Sequence, residues 1–303
     1  MHPDWSDLSY FLELARQGTL SGASRRLGVE HTTVARRIER LETALGATLF
    51  DRRREGHVLT ETGQALLPHA EAMESAAIAA TEQLGAPETA AGGTVRVGAP
   101  EVFGTRVITP RLPELLERHP ELNIELLLTH RFPSLAAREA DLLVTLNPPT
   151  TGRYVVSRLV DIRYHLYAAP SYLATHAPIA GRADLPAHRF VDYVQDELMS
   201  DMLRYLDELM PSPRRRFAST SMLAQYEAVA AGLGLGMMTP YVIPPGSAVV
   251  AVLPGEISVT RTLWLAAPTD LFRLQRVRVV WDFLRAVAPD SARPVEKSPA
   301  NPI

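Results

Sequence analysis

Apolar residues recur at helical spacing in the first thirty positions of the chain. Phe11 and Leu12 lie three and four positions after Leu8, and Gly18 follows them as a stop signal. The next segment, "TLSGASRRLGV", has small residues at its centre that let another helix approach closely. Its Gly28 suits a tight turn with positive φ. The pattern predicts two short helices followed by a turn.

The stretch after this turn, which begins "EHTTVARRIERLE", predicts a third helix with one apolar stripe. Val34, Ile38, Leu41 and Leu45 recur at spacings of four, three and four, which is typical of a buried face. The opposite face carries polar and basic side chains: His31, Thr32, Thr33, Arg36, Arg37 and Arg40. Helix, tight turn and a second helix with an exposed polar amino end form a helix-turn-helix, whose second helix reads base edges in the major groove. Taken alone, the pattern also fits an ordinary amphipathic surface helix.

A short hairpin is predicted directly after these helices. "LFDRRREGHVLT" contains two extended pieces around a turn, and Arg52, Arg53 and Arg54 are grouped beside that turn. A basic hairpin next to a helix-turn-helix is a winged version of the motif, in which the wing contacts phosphates that flank the groove. The combination favours DNA binding over a plain surface helix.

A long helix is predicted from a cap at Thr60 to about position 84, with a kink at Pro68. Leu66, Ala70, Met73, Ala77, Ala80 and Leu84 alternate spacings of four and three, as in a heptad seam. Packing against the chain's own body is the alternative, but we favour dimerisation, because a helix between domains has little body to pack on. The stretch "GAPETAAGG" that follows predicts a flexible hinge.

Strand and helix patterns alternate from position 94 onward. Strand, helix, strand, short helix and strand follow one another to about position 146, with the short helix at 134–140. This order predicts an α/β unit with a parallel sheet. A second set of strands and helices follows, and the chain ends with an amphipathic helix at 272–287.

The first 85 residues resemble the winged helix-turn-helix and linker of LysR-type transcriptional regulators. The most specific parts are "RRIERLE", the following "LGATLFDR", and "LTETG" at the end of the wing. One departure is Glu30, where the family usually has a serine that caps the recognition helix. Glutamate is a poorer cap, so Thr32 is expected to set the first helical turn instead. More loosely, the resemblance covers nearly all of the remaining chain.

The resemblance implies a mixed fold: a winged helix-turn-helix domain at 1–60, a linker helix at 61–85, a hinge at 86–93 and a two-lobed, periplasmic-binding-protein-like α/β effector domain at 94–289. Lobe I would comprise 94–161 and 267–289, and lobe II 162–266, because the strand-like stretches near 154–170 and 258–267 look like the two crossings between the lobes. The tail from 290 is rich in proline and polar residues and is expected to be disordered. The family pairs two subunits through the linker helix, and four subunits are its common state.

An effector cleft is expected where loops follow strands, because ligands of open α/β sheets lie outside the carboxyl ends of strands and at helix amino termini. The five loops are 100–105, 129–133, 146–149, 192–194 and 219–221. The candidate effector-binding residues are Pro100, Glu101, Phe103, Gly104, Thr105, Arg131, Phe132, Asn147, Asp192, Tyr193, Ser219, Thr220 and Ser221.

Glu101 stands where the family often has a serine or threonine that can hold a carboxylate. An acid at a helix amino terminus already satisfies the local dipole. We therefore expect the effector not to be a simple anion held at this loop, although Glu101 merely capping its own helix is the alternative.

Composition narrows the classes of function. The net charge of -3 gives no global sign of a nucleic-acid partner, so the arginine clusters must supply a local patch. The chain has no cysteine, no histidine pair at metal-ligand spacing and no recognisable catalytic cluster, so we expect no metal, cofactor or enzymatic activity. No apolar run is long enough to span a membrane and no signal peptide is evident, which indicates a cytoplasmic protein.

The sequence thus predicts a DNA-binding transcriptional regulator controlled by a small-molecule effector. Its expected partners are double-stranded DNA, an effector of unknown identity and further copies of itself, with RNA polymerase as another candidate and no membrane. Two alternatives stay open at this point: a solute-binding protein without a role on DNA, and an enzyme with an α/β core.

Overall fold

The computed structural model describes residues 4–53, 56–85, 91–128, 133–136, 138–198 and 200–288. Several predictions made from the sequence lie outside these residues: those for Arg54, Arg131 and Phe132, for most of the hinge, and for the tail from position 290. The side chains at 75, 78, 79 and 81–85 are also outside the description, so the seam position at Leu84 stays a prediction.

The amino-terminal unit contains three helices, a two-stranded hairpin and a long helix, and it confirms the predicted order of elements. Their bounds are α1 (Trp5–Gln17), α2 (Leu20–Leu27), α3 (His31–Leu45), β1 (Phe50–Arg53), β2 (Gly56–Leu59) and α4 (Glu61–Gly85). The core holds Phe11 and Leu12 of α1 against Val34, Ile38 and Leu41 of α3, all buried. Leu45, the fourth residue of the predicted stripe, is 39% exposed, because it lies in the last turn before the cap at Gly46.

Capping explains where these helices begin and end. Gly18 adopts a φ of 66° and donates its N–H to Leu14, which terminates α1 as expected. Thr60 accepts a hydrogen bond from the Gly63 N–H at 3.1 Å and caps α4, as predicted. The expectation for α3 is corrected. This helix begins at His31 with Glu30 in the N-cap position, two residues before Thr32, and the Glu30 side chain makes no capping hydrogen bond.

Close backbone contact fixes the hairpin against the turn between α1 and α2. The His57 N–H donates to the Gly18 carbonyl at 2.7 Å. A Cβ atom on Gly56, which has a φ of 137°, would lie 2.4 Å from the same carbonyl oxygen. Only glycine fits there, so the start of β2 is tied to the helix-turn-helix.

Helix α4 continues past Pro68, and its first half packs on the amino-terminal core. Ala70 is buried in that core, and Leu66 and Met73 pack against it. The Arg16 guanidinium on α1 also forms two hydrogen bonds with the Glu74 carboxylate, at 3.1 and 2.6 Å. The predicted seam is therefore corrected at Leu66, Ala70 and Met73, because the chain's own domain covers these positions. Ala77 and Ala80 are exposed.

The rest of the described chain is built around one sheet. Its elements are β3 (Gly93–Gly98), α5 (Glu101–Phe103), α6 (Leu112–Arg118), β4 (Leu122–Leu127), β5 (Leu142–Thr145), β6 (Tyr154–Ala168), α7 (Pro170–Thr175), β7 (Phe190–Asp192), α8 (Tyr205–Leu209), β8 (Arg215–Ala218), α9 (Met222–Ala230), β9 (Leu235–Met238), β10 (Val250–Val252), β11 (Ser258–Pro268) and α10 (Gln275–Val287). The predicted helix at 134–140 is wrong: its described residues form turns, and Arg138 adopts a φ of 54°.

Two parallel groups of strands meet at two long antiparallel strands. Among the described residues the strand order is β4-β3-β5-β11-β6-β9-β7-β8, and β10 pairs with β6. Strand β3 is parallel to β4 and β5, and β7 is parallel to β8 and β9. Strands β6 and β11 pair along their length and cross between the two groups. This confirms a mixed fold with a two-lobed α/β domain, and the predicted lobe boundaries fall within the crossing strands.

Candidate DNA-binding surface and effector cleft

The amino end of α3 presents an exposed polar surface. His31, Thr32 and Arg36 are exposed and Thr33 is half-buried, while the apolar stripe of the same helix faces the core. Arg36 makes no hydrogen bond or ion pair with any residue that the structure describes. These four side chains are therefore available to an external partner, and they share one face of a rigid, packed helix.

The other two arginines of α3 are held by the domain's own carboxylates. Asp7, which is 1% exposed, accepts hydrogen bonds from Arg37 Nη1 at 3.1 Å and from Arg40 Nε at 2.6 Å. Arg40 Nη2 also contacts Asp4 at 2.7 Å. The hydrogen bonds to Asp7 raise the pKa of Arg40, against a smaller lowering by burial. Arg37 and Arg40 thus attach α3 to α1, and much of their charge is neutralised within the domain.

The wing carries two exposed arginines, Arg52 and Arg53, on β1. They lie opposite His57 and Gly56 of β2. Burial, with a smaller contribution from the Arg52 charge, lowers the pKa of His57, so this imidazole is neutral near pH 7 and adds no charge to the wing. Sequence reasoning missed Arg25 and Arg26, which are exposed in the last turn of α2. The adjacent arginines in "SRRLG" are a sequence signal for a basic surface, but that segment led only to a prediction of helix packing.

Five of the predicted effector residues meet between the lobes, but the space between them is small. A cavity of about 40 Å³ lies there, and it is lined by Pro100, Glu101, Phe103, Tyr193 and Thr220 from the predicted set. Such a volume has room for a few water molecules, whereas sites for organic ligands typically measure about 300 to 1,000 Å³.

The crossing strands and a loop after β9 supply lining residues that were not predicted. Ile162 and Tyr164 come from β6, Leu263 from β11, and Thr239 and Tyr241 from the segment after β9. Period-two alternation places Ile162 and Tyr164 on one face of β6, so the pattern was present in the sequence. The sequence does not show which face of β6 meets the cleft, because that depends on how the strand pairs in the sheet. Burial raises the pKa of Tyr164, and raises the pKa of Tyr193 well above its usual value, so both phenols stay protonated.

Other predicted cleft residues that the structure describes make contacts within the protein. The Asp192 carboxylate is buried and accepts a hydrogen bond from Arg215 Nε at 2.7 Å. Burial nevertheless raises the pKa of Asp192. Ser219 Oγ accepts from the Ser221 N–H at 3.1 Å. Gly104 and Thr105 lie in a π-helical turn, and neither of them lines this cavity.

Two sets of hydrogen bonds cross from one lobe to the other. Asn147 Nδ2 after β5 donates to Ser200 Oγ at 3.1 Å. Ser221 Oγ before α9 donates to Glu101 Oε1 at 2.8 Å, and the Met222 N–H donates to Glu101 Oε2 at 3.0 Å. Glu101, Asn147 and Ser221 were all predicted for the cleft, and in this structure they bind residues of the opposite lobe.

A larger cavity of about 920 Å³ lies between α4 and lobe I. Arg138 lies at its edge, with its Nε 3.8 Å from a Glu71 carboxylate oxygen, and it also pairs with Asp270. Burial, the largest influence, raises the pKa of Glu71. Sequence reasoning could not find this junction, because the three residues are far apart in the chain.

The described residues contain neither a cluster of metal ligands nor a helix that could span a membrane. No group of three or more histidine, aspartate or glutamate residues is arranged there to hold a metal ion. Within the same residues, no helix is both long enough and apolar enough to cross a membrane.

A winged helix-turn-helix with an exposed basic face, joined by a long helix to a two-lobed α/β domain, defines a DNA-binding regulator with a ligand-binding domain. Two family models match this chain: "Bacterial regulatory helix-turn-helix protein, lysR family" over residues 5–64, and "LysR substrate binding domain" over residues 88–289. The chain belongs to the LysR family of transcriptional regulators. It is therefore a regulator and not an enzyme.

Individual relatives agree with this assignment. The chain is 27% identical to the HTH-type transcriptional activator TtdR of Escherichia coli (strain K12) over 290 residues, which cover 92% of each chain. It is 32% identical to the Mau operon transcriptional activator of Paracoccus denitrificans over 219 residues, 70% of this chain and 77% of the relative. The full-length structure of LysG from Corynebacterium glutamicum with bound effector Arg has a TM-score of 0.68 at 20% identity, covering 97% of this chain and all of that one.

Proposed function

We propose that this regulator reads operator DNA with the exposed amino end of α3 and holds the flanking backbone with its wing. His31, Thr32 and Thr33 would contact base edges, and Arg36 would contact phosphate or guanine. Arg52, Arg53 and Arg54 would contact phosphates, joined by Arg25 and Arg26 at the end of α2. The observation that carries the proposal is the exposed face of α3, where Arg36 has no partner in the described part of the chain.

The hydrogen bonds to Asp7 change how much each arginine is expected to contribute to DNA affinity. Arg37 and Arg40 would have to give up, or share, hydrogen bonds with Asp7 in order to contact phosphate. Within the described part of the chain, Arg36, Arg52 and Arg53 make no comparable hydrogen bond. We therefore propose that these three residues supply most of the electrostatic affinity, and that Arg37 and Arg40 mainly orient the helix.

The test is fluorescence anisotropy on DNA from upstream of the protein's own gene, across a salt series. Removing one phosphate contact with Arg36→Ala should weaken binding on all sequences and lower the salt slope by about one. Arg163→Ala, which removes an exposed arginine of β6, is the matched control and should leave binding unchanged. Equal effects of the two substitutions would contradict the proposal. A loss confined to one sequence would contradict the phosphate contact of Arg36 and favour the contact with guanine.

We also propose that a small molecule of unknown identity controls the protein by binding between the lobes, as a solute-binding domain would. A ligand shifts the equilibrium between two arrangements only by as much as it prefers one of them. The cleft residues in contact across the lobes, Glu101, Asn147 and Ser221, are the ones on which such a preference would act.

Self-association completes the proposal. The second half of α4 carries exposed alanines, Ala77 and Ala80, beyond the part that packs on the amino-terminal core. We propose a homodimer through this half of the linker helix, assembled further into a homotetramer, with RNA polymerase as an additional partner at promoters. A role on chromosomal DNA implies the cytoplasm. Sedimentation of the wild-type sample used for anisotropy would report its oligomeric state.

A further inference from the structure

The carboxylate of Glu101 lies at the amino terminus of a helix that belongs to the opposite lobe. Glu101 is the first residue of α5 in lobe I, and α9 begins at Met222 in lobe II, 121 positions later. Ser221 Oγ lies 2.8 and 3.1 Å from the two carboxylate oxygens, and the Met222 N–H donates to one of them at 3.0 Å. The cap of α9 is thus made by two residues, because Ser221 Oγ also accepts from the Ala224 N–H at 3.2 Å.

This contact satisfies the usual reason for an anion to bind there. The first N–H groups of a helix lack partners within it, and the helix dipole favours negative charge at that end. Glu101 supplies both the hydrogen-bond acceptor and the charge. It does so from across the cleft, so the same contact also holds the two lobes together.

The rest of the cleft is consistent with a closed arrangement that has no place for an anion. The hydrogen bond from Asn147 to Ser200 is a second bridge between the lobes. The cavity left between them measures about 40 Å³. Among the described residues that line it, Glu101 is the one charged side chain, and the other polar groups are tyrosine and threonine hydroxyls. An anionic ligand would meet a carboxylate there and no cation.

We propose that Glu101 acts as a built-in carboxylate that holds the effector cleft closed and restricts it to small uncharged ligands. This inference rests on the proposed function, since it concerns the same cleft, and it adds a residue that determines the class of effector. A ligand carboxylate would compete with Glu101 for the Ser221 hydroxyl and the Met222 N–H, and it would be repelled by the charge that it must displace. A neutral hydrogen-bonding molecule would not be repelled by that charge, and it would meet tyrosine and threonine hydroxyls in the lining.

The experiment asks whether an added carboxylate can replace the built-in one. Thermal unfolding of the full-length protein is measured in sodium acetate, in sodium chloride of equal ionic strength, and with acetamide as the uncharged analogue. Glu101→Ala should lower Tm by about 3 to 6 °C, because it removes the carboxylate that accepts hydrogen bonds from the Ser221 hydroxyl and the Met222 N–H. Acetate should restore most of this loss in a saturable way, while chloride and acetamide should not.

The controls distinguish the loss of the contact between Glu101 and the start of α9 from a general loss of stability. Wild type should show no acetate effect beyond that of chloride, and neither should Glu117→Ala, which removes an exposed glutamate of lobe I. Glu101→Gln keeps the shape but lacks the charge, so it should be less stable than wild type and should not respond to acetate. If Glu101→Ala does not fold, Ser221→Ala provides the second test: it removes the hydroxyl and should lower Tm without creating an acetate response.

Two results would overturn the proposal. The first is saturable stabilisation of the wild type by acetate equal to that of the Glu101→Ala variant, because the carboxylate position would then be open already. The second is an unchanged Tm in both Glu101→Ala and Ser221→Ala. Neither result depends on DNA binding, which the Arg36 experiment measures separately, so a failure of this inference is distinguishable from a failure of the proposed function.

Discussion

The ion pair between Arg16 and Glu74 fastens the linker helix to the DNA-binding domain, and its removal gives an asymmetric prediction. The Arg16 side chain is 8% exposed and Glu74 is 31% exposed. Burial lowers the pKa of Arg16, but the hydrogen bonds and charge of Glu74 outweigh this effect and raise it. Glu74 therefore compensates the positive charge of the Arg16 guanidinium, which has little access to water.

The expected magnitude follows from that exposure. Breaking a fully buried pair by removing one partner costs about 3 to 5 kcal/mol. Glu74 is partly exposed, and Glu13 lies 3.9 Å from Arg16 as a residual partner, so the cost of Glu74→Ala is smaller. We expect a loss of about 2 kcal/mol in the free energy of unfolding of the amino-terminal unit.

Replacing both partners should be milder than removing the acid alone. In Arg16→Met with Glu74→Leu neither charge of the pair remains, and Glu13 keeps its hydrogen bond from Gln17 Nε2 at 3.1 Å, so we expect a stability within about 1 kcal/mol of wild type. Glu39→Ala, which removes an exposed acid of α3, is the matched control and should change stability by less than about 0.5 kcal/mol. Urea unfolding gives the free energies, and hydrogen exchange in α1 and in the first half of α4 shows whether the loss is located there. The reasoning would be refuted if the double replacement were less stable than Glu74→Ala.

Two further predictions concern Asp7 and Arg138. Asp7→Ala releases Arg37 and Arg40 from their buried partner, so DNA affinity should rise and the salt slope should increase by about one to two, measured by anisotropy. Asp51→Ala removes an exposed acid and changes the net charge equally without releasing an arginine; the same slope for both variants would contradict the prediction. Arg138 has a φ of 54°, so Arg138→Gly should be more stable than Arg138→Ala by about 1 kcal/mol in urea unfolding, although both lose the contacts to Glu71 and Asp270. Equal stability of these two variants would mean that this backbone position is not strained.

Local signals in the sequence were enough for the order of elements and for the class of protein. The spacing of Val34, Ile38 and Leu41, the stop at Gly18 and the cap at Thr60 each act within a few residues, so they can be read without knowledge of the fold. The family resemblance rested on the same segments, and it gave the two-lobed architecture that the sheet of crossing strands confirms. The same local reading failed at 134–140, where the described residues of a stretch with a helical pattern form turns beside the junction with α4.

The tertiary structure decided which of the candidate side chains are available. Arg37 and Arg40 look like Arg36 in the sequence, but Asp7 on another helix binds both of them. The heptad spacing in α4 was correct as a pattern, yet the domain that precedes it covers its first half. Glu101 lies at the amino end of its own helix, as expected, but its carboxylate caps α9 in the opposite lobe. Periodicity reports which residues share a face, because that depends on neighbours in the chain. What meets that face depends on contacts between residues a hundred or more positions apart, and only the folded arrangement of the elements determines those contacts.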